Sequence, residues 1–325
     1  MTELLDADSL AMLADGFEAA MTASDGPAAS ARAVFDLGWG ELLDASPTQG
    51  AAMAFTALGT TGSAAGLLDD VLMRALGLAA SPTTCVVLAP PQTARVPGRL
   101  VGDRVAVDGL VSARVDTADD AMLVFATGDD VGWVTLDAAL VRSDRVDGVD
   151  PGLAYRRVAV EIPATSLTPL TVAGTWDAAV DAARVALAHQ LIGGARWMLA
   201  EARQHAVDRV QFGQPIGGFQ AIRHKLADSL VAIEGAASIA AACTADSDPL
   251  LAALAKSHAG AAAKTTAKHA QQVLAGVGFT TDHAFHRWLK RTLVIDTLFG
   301  SATSLPTEIG QQLLARRSAP RLIEL

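Results

Sequence analysis

Cysteine and tyrosine are nearly absent from this chain, with two of the first and one of the second in 325 residues. Cys85 and Cys243 stand far apart and form no CxxC pair. A disulfide framework or a zinc site is therefore not expected, and both read as small apolar residues of a reducing compartment. Aromatic residues make up only 5%, so any core must rest on aliphatic side chains and close approaches of alanine. Basic charge is short as well: 25 Lys and Arg face 35 Asp and Glu, a net charge of −10. That excludes the basic face of a nucleic-acid binder and selects no other partner, because acidic surfaces are common on soluble proteins. There is no uncharged apolar run of about 18 residues, so no membrane span is expected. The opening MTELLDADSLAML is acidic and lacks a basic segment followed by an apolar one, so the expected compartment is the cytoplasm.

What the chain does hold is 51% hydrophobic residues and 18% charged ones, enough to bury a large core in two or three structural units. Residues 1 to about 80 read as helix, with apolar positions at three- and four-residue steps and breaks at Asp25-Gly26-Pro27 and Pro47. From about 83 to 164, short β-branched runs are punctuated by Pro-Pro, Pro-Gly and Asp-Pro-Gly, which predicts five to seven antiparallel strands. Val105, Val107 and Val111, with polar residues between, suit half-buried strands. From 175 onward four long helices are predicted: about Ala178 to Val207, from near Phe219, Pro249 to Leu274, and from near Asp282. Short connections between long helices imply an antiparallel bundle.

Two junctions in that last region carry chemistry. In RVQFGQPIGGFQAIRHKLAD, 209–228, Arg209 ends one helix, and Phe212, Gly213, Pro215, Gly217 and Gly218 form a tight connection to the next. One use is a helix corner, in which arginine caps carbonyls and phenylalanine plugs a gap. The other is a fixed guanidinium fork for a phosphate, with Phe212 offering an apolar face to a flat cofactor. In QQVLAGVGFTTDHAFHRWLKR, 271–291, Gly276 and Gly278 are either a C-cap and hinge or a place where backbone amides approach a ligand. Gln272, one turn earlier, is a two-way hydrogen-bonding group. His283 and His286 have no carboxylate partner in the pattern and read as structural, so no metal is expected.

Taken together, R-x-Q-F-G-x-P-I-x-x-F-Q-A, then H-x-L-A-D, then Q-x-x-x-G-x-G-F on an α–β–α chain resemble the acyl-CoA dehydrogenase family. LGWGELL at 37–43 is similar to its amino-terminal helical domain, and RLVGDRVAVDG through LVFATGDDVGWVTLD to its middle β domain. The resemblance implies an α+β fold with a shortened all-α domain at 1–82, an antiparallel β domain at 83–165 and a four-helix bundle at 166–325.

In that family a carboxylate removes the α-proton of an acyl-CoA thioester while the β-hydride passes to FAD, which two subunits share. The resemblance implies that Arg209, Gln211, Phe212, Gln272, Gly276 and Gly278 contact the pyrophosphate and adenosine part of an FAD whose reactive ring lies on the facing subunit. Arg184 matches the family's active-site arginine and so a substrate contact. The rest of the pattern departs from the family. Leu88-Ala89-Pro90 stand where Thr-Glu-Pro falls, and Ala106 and Asp108 replace the aromatic and hydroxyl of a Trp-x-Thr strand. Phe299 occupies the position of the base in a Tyr-Glu-Gly segment, and Ala183 the alternative base position before Arg184. Asp296, one turn before Phe299, is the acid nearby in sequence.

This lopsided pattern is similar to the shortened partner chain of actinobacterial α2β2 acyl-CoA dehydrogenases, several of which act on steroid side-chain CoA thioesters. The expected function is thus a base-lacking subunit, inactive alone, that completes the FAD site of a second acyl-CoA dehydrogenase subunit; that partner would hold most of the acyl-CoA. Two rivals stay open: an autonomous homo-oligomeric dehydrogenase with a base relocated to Asp296 or Asp108, and a flavin-free scaffold of the same fold.

Overall fold

The computed structural model describes residues 7–91, 96–127, 130–141, 144–244 and 248–318. Residues 92–95 of the TCVVLAPPQTARVPG stretch and residues 128–129 of the LVFATGDDVGWVTLD stretch lie outside the described residues. The chain divides into two compact units, Met1–Ala51 with Ser63–Ala183, and Ala52–Gly62 with Arg184–Leu325.

The first unit opens on α1 (Ala7–Ala23), α2 (Pro27–Asp36), α3 (Trp39–Ala45) and the start of α4 (Pro47–Thr61), followed by α5 (Leu68–Ala75). Pro27 and Pro47 open their helices, where a missing N–H costs nothing. Seven strands follow: β1 (Thr84–Val86), β2 (Gly98–Val101), β3 (Arg104–Val111), β4 (Asp120–Thr127), β5 (Asp130–Asp137), β6 (Arg156–Pro163) and β7 (Thr168–Pro169). They form one sheet in the order β6-β3-β2-β4-β5-β7, with β1 beside β4. Alternation in β3 turns Val105, Val107 and Val111 into the sheet's core with Leu123, Leu136, Val158 and Ile162.

The expectation of purely antiparallel strands needs correction. β1 and β2 both run parallel to β4, the first against Asp120–Met122 and the second against Phe125 and Ala126, so they share one of its edges end to end. Alternation decides which face of a strand is buried and says nothing about its neighbour's direction. The stretch between β2 and β4 carries β3 and a short 3-10 helix, which is long enough for a parallel return.

Beneath this sheet lies a buried ionic network. Arg114 donates through Nη1 to Asp70 Oδ1 and through Nη2 to Asp70 Oδ2, each at 2.8 Å. Trp39 Nε1 donates to Asp70 Oδ2 at 3.0 Å, and Ser112 Oγ donates to Asp69 Oδ2 at 2.6 Å. Asp69 Oδ1 makes no hydrogen bond of ordinary geometry among the described residues. Burial above all pushes the Asp69 carboxyl up to about 6, against the pull of Arg114 and Ser112. A folded-state value above the unfolded 3.8 means that folding favours the protonated acid. The stability this contributes is present at low pH and is lost as pH rises through about 6. Asp69→Asn is therefore expected to stabilise the chain by about 2–3 kcal/mol at about pH 8 and by almost nothing near pH 4, read from urea unfolding at both values.

The second unit is helical: α6 (Trp176–Asp208) from Arg184 onward, α7 (Gln220–Ala241), α8 (Pro249–Leu274), α9 (Phe285–Thr297) and α10 (Leu305–Arg316), joined by residues 52–62 of α4. The helix starts lie within a few residues of the sequence expectation because proline and its cap mark them. Pro249 opens α8 behind Asp248, whose carboxylate accepts the Leu250 N–H at 2.9 Å. The alanines of α8 are buried, among them Ala255, Ala259, Ala263 and Ala267, so the poverty in aromatics is met by close helix approach. Both cysteines are free and buried, and no helix of the described residues is long and apolar enough to cross a membrane.

Candidate functional site

The stretch after α6 folds as a two-residue β-hairpin, β8 (Val210–Gln211) and β9 (Gln214–Pro215), rather than a simple corner. Its turn residues Phe212 and Gly213 have φ of 53° and 83°, the left-handed pair that a type I′ turn requires. Holding phenylalanine there costs strain of about 1 kcal/mol, and its ring does not plug a gap: Phe212 is 93% exposed, touching Phe219 edge-on at 6.1 Å. The Arg209 side chain is exposed too and makes no hydrogen bond or ion pair among the described residues, so it does not cap α6. Asp208 beside it is taken by Gln204, whose Nε2 donates to both carboxylate oxygens at 3.0 and 2.9 Å. Gln211 donates its amide to the Val210 carbonyl at 2.8 Å.

The second motif falls on the 3-10 turn Ala275–Phe279 that ends α8. Gln272 is exposed with no side-chain partner among the described residues, and a Cβ on Gly276 would meet nothing within 4 Å. Gly278 is buried instead, because a Cβ there would stand 3.0 Å from that of Leu274. Ala275 adopts φ 51° and ψ −130°, a region ordinarily left to glycine. One apolar cluster underlies both motifs: Ala206 and Ile216 at the hairpin pack with Val273 and Leu274 at the end of α8, and with Phe285 and Trp288 of α9. The fold thus brings Arg209, Phe212, Gln272 and Gly276 to one end of the helical unit.

The loop after α9 is a different kind of site. Phe299 and Gly300 are both left-handed, with φ of 54° and 102°. Two cations grip this turn from below. Arg184 Nε donates to the Phe299 carbonyl at 3.0 Å, while its Nη2 contacts both Glu308 carboxylate oxygens at 3.0 Å. Lys256, wholly buried, donates through Nζ to the carbonyls of Asp296 at 2.9 Å and Gly300 at 3.0 Å. Burial pushes its ammonium down to about 7, with Asp296 opposing and Arg184 and Lys264 reinforcing the effect. Asp296 is 1% exposed; its Oδ2 pairs with Lys264 and its Oδ1 accepts the Ala302 N–H at 3.0 Å.

These partners decide what each group can do. Asp296 anchors the loop with both oxygens, and Arg184, 11% exposed, spends its fork on Phe299 and Glu308. Ala183 is buried within α6. Asp108, on an exposed stretch of β3, pairs with Arg157 at 3.4 Å, while Ala106 is half-buried on the same strand. Lys256, Glu308 and the Asp70–Arg114 pair escaped the sequence reading because their partners lie tens of residues away. His283 has a carboxylate neighbour after all, Glu201 at 3.6 Å, and no metal-ligating group of three or more is found among the described residues.

Residues 176–314 match the model of the acyl-CoA dehydrogenase C-terminal domain. Acyl-CoA dehydrogenase IpdE2 of Mycobacterium tuberculosis is 32% identical over 247 residues, 71% of this chain and 76% of its own length. Acyl-CoA dehydrogenase FadE34 of the same species is 36% identical over 182 residues, 53% of this chain; the match spans only 25% of FadE34. The Tcur3481-Tcur3483 steroid ACAD shares the fold, with a TM-score of 0.78 at 18% identity over 96% of this chain and 99% of that one. The chain belongs to the acyl-CoA dehydrogenase family.

Proposed function

We propose that this chain is the base-lacking subunit of a heterotetrameric FAD-dependent acyl-CoA dehydrogenase, and that it lends an FAD half-site to its partner subunit. One contrast carries the reading. The side chains of Arg209, Phe212 and Gln272 stand exposed, without a hydrogen bond or ion pair among the described residues, while the loop that should bear the base holds Phe299 and has its acid, Asp296, locked in place.

A dinucleotide's diphosphate fits the exposed set. The guanidinium fork has no competing carboxylate, since Gln204 holds Asp208, and such a fork matches phosphate geometry through charge-assisted N–H donation. The Gln272 amide can donate and accept beside it. Gly276 leaves its backbone open to a ligand, and Gln211, Phe212 and Gly278 frame the same end. When bound, FAD supplies the hydride acceptor for α,β-dehydrogenation. This chain's part is binding and orientation. Proton abstraction and most acyl-CoA contacts fall to the partner, because the Arg184 guanidinium is already used on the Phe299 carbonyl and Glu308. A steroid-derived acyl-CoA thioester is the proposed substrate class, supported by likeness to the Tcur3481-Tcur3483 steroid ACAD, itself named for two chains.

Arg209→Ala in the co-expressed complex is expected to weaken flavin retention by about 10- to 100-fold, the worth of one charge-assisted contact of about 1.5–3 kcal/mol. Flavin absorbance per complex after gel filtration reads this. Unchanged flavin content would sink the half-site and favour a flavin-free scaffold.

A further inference from the structure

Histidines gather beside Arg209 without an assigned task. Glu201, His205 and Arg209 follow one another at four-residue steps on the last turns of α6, so they line one face. The Arg209 N–H still bonds the His205 carbonyl at 2.9 Å, which carries that face past the helix end. Across from it stands His283, whose Nδ1 accepts the Phe285 N–H at 3.1 Å. A neutral His283 ring therefore carries its proton on Nε2, the atom 3.6 Å from Glu201. His205 is half-buried and has no hydrogen-bond partner among the described residues.

We infer, building on the reading of Arg209 as a phosphate fork, that His205 adds a second cationic contact beside it, whose grip on a polyphosphate tightens as His205 takes up a proton. The charges facing His205 are Asp208 and Glu201 from its own helix, Arg209 just past the helix end, and His283 from the segment ahead of α9. Asp208 is bound by Gln204 and Glu201 stands against His283, so neither acid closes on Arg209. Burial first, then Arg209 and His283, hold His205 below the usual histidine range, with Asp208 opposing. In the free chain burial and the neighbouring cations therefore disfavour the charged His205 ring. A phosphate on Arg209 offsets the charge that repels the proton, so His205 regains it and adds its own attraction. Linkage fixes the sign: if the bound state holds more protons than the free state, affinity rises as pH falls. The end of α6, with its exposed carbonyls, also favours an added cation.

Titration calorimetry of the full chain with inorganic pyrophosphate, at about pH 6 and about pH 8, tests this on either side of the ordinary histidine value. The expected result is binding about tenfold tighter at the lower pH, with uptake of about one proton when buffers of different ionisation enthalpy are compared. His205→Gln should keep the affinity seen at high pH and lose its pH dependence. Binding by the unaltered chain that does not change with pH would overturn the inference and leave the Arg209 reading standing. So would a pH dependence that His205→Gln leaves intact. If the chain binds no pyrophosphate at either pH, or Arg209→Ala binds as well as the unaltered chain, the Arg209 reading itself falls.

Discussion

Gly193→Ala should destabilise the helical unit by about 3 kcal/mol, although alanine is the better helix former by about 1 kcal/mol. A Cβ on Gly193 would stand 2.4 Å from the Thr56 carbonyl oxygen and 3.1 Å from the Thr60 nitrogen. On the facing helix, a Cβ on Gly59 would stand 2.2 Å from the Gln190 oxygen. Both obstacles are helix backbone, so relief requires α4 and α6 to move apart. Such a shift would also disturb Trp288, which donates to the Gly59 carbonyl at 2.9 Å and stacks on Trp197 at 3.4 Å. Gly235 supplies the control. It lies exposed inside α7, and a Cβ there meets nothing within 4 Å, so Gly235→Ala should stabilise by about 0.5–1 kcal/mol. Denaturant midpoints of the two variants should move in opposite directions.

Arg114→Leu should cost about 3–5 kcal/mol, because it leaves Asp70 charged and buried without its fork. Asp70 would keep only the Trp39 indole at 3.0 Å and the Ser81 N–H at 3.2 Å. Arg114 also donates to the Ser81 carbonyl at 2.9 Å and lies over the Phe35 ring at 5.6 Å, so α2, α5 and the segment ahead of β1 lose a common partner. Adding Asp70→Asn to Arg114→Leu should recover a large part of the loss, since it removes the stranded charge. The thermal midpoints of the single and double variants report this, and a double variant no more stable than the single would show that packing, not charge, sets the cost.

The helices and the helix–strand–helix order of elements were legible in the sequence because proline, glycine and apolar spacing act within a few residues of one another. Pro249 and Asp248 mark the start of α8 almost to the residue, and the valines of β3 show its buried face. The parallel pairings of β1 and β2 with β4 were not legible, because a strand's own pattern does not name its neighbour. The exposed motif residues could be picked out by their unusual types at a junction, yet the sequence left corner and phosphate readings open. What favours the second is a three-dimensional fact: among the described residues the Arg209 side chain caps nothing, and Phe212 is exposed. At the Phe299 loop, the sequence places Phe299 and Ala183 where the resemblance implies an acid. It could not show that Asp296 is consumed by Lys264 and Ala302, or that Glu308 reaches Arg184 from 124 residues away.

Flavin stoichiometry tests the central claim most directly. The full chain is purified alone and in complex with the proposed dehydrogenase partner, and flavin per chain and acyl-CoA dehydrogenation with an artificial electron acceptor are measured on each. The expected result is a colourless, inactive chain on its own and one FAD per two chains in the active complex. One FAD per chain, with activity from this chain alone, would contradict it.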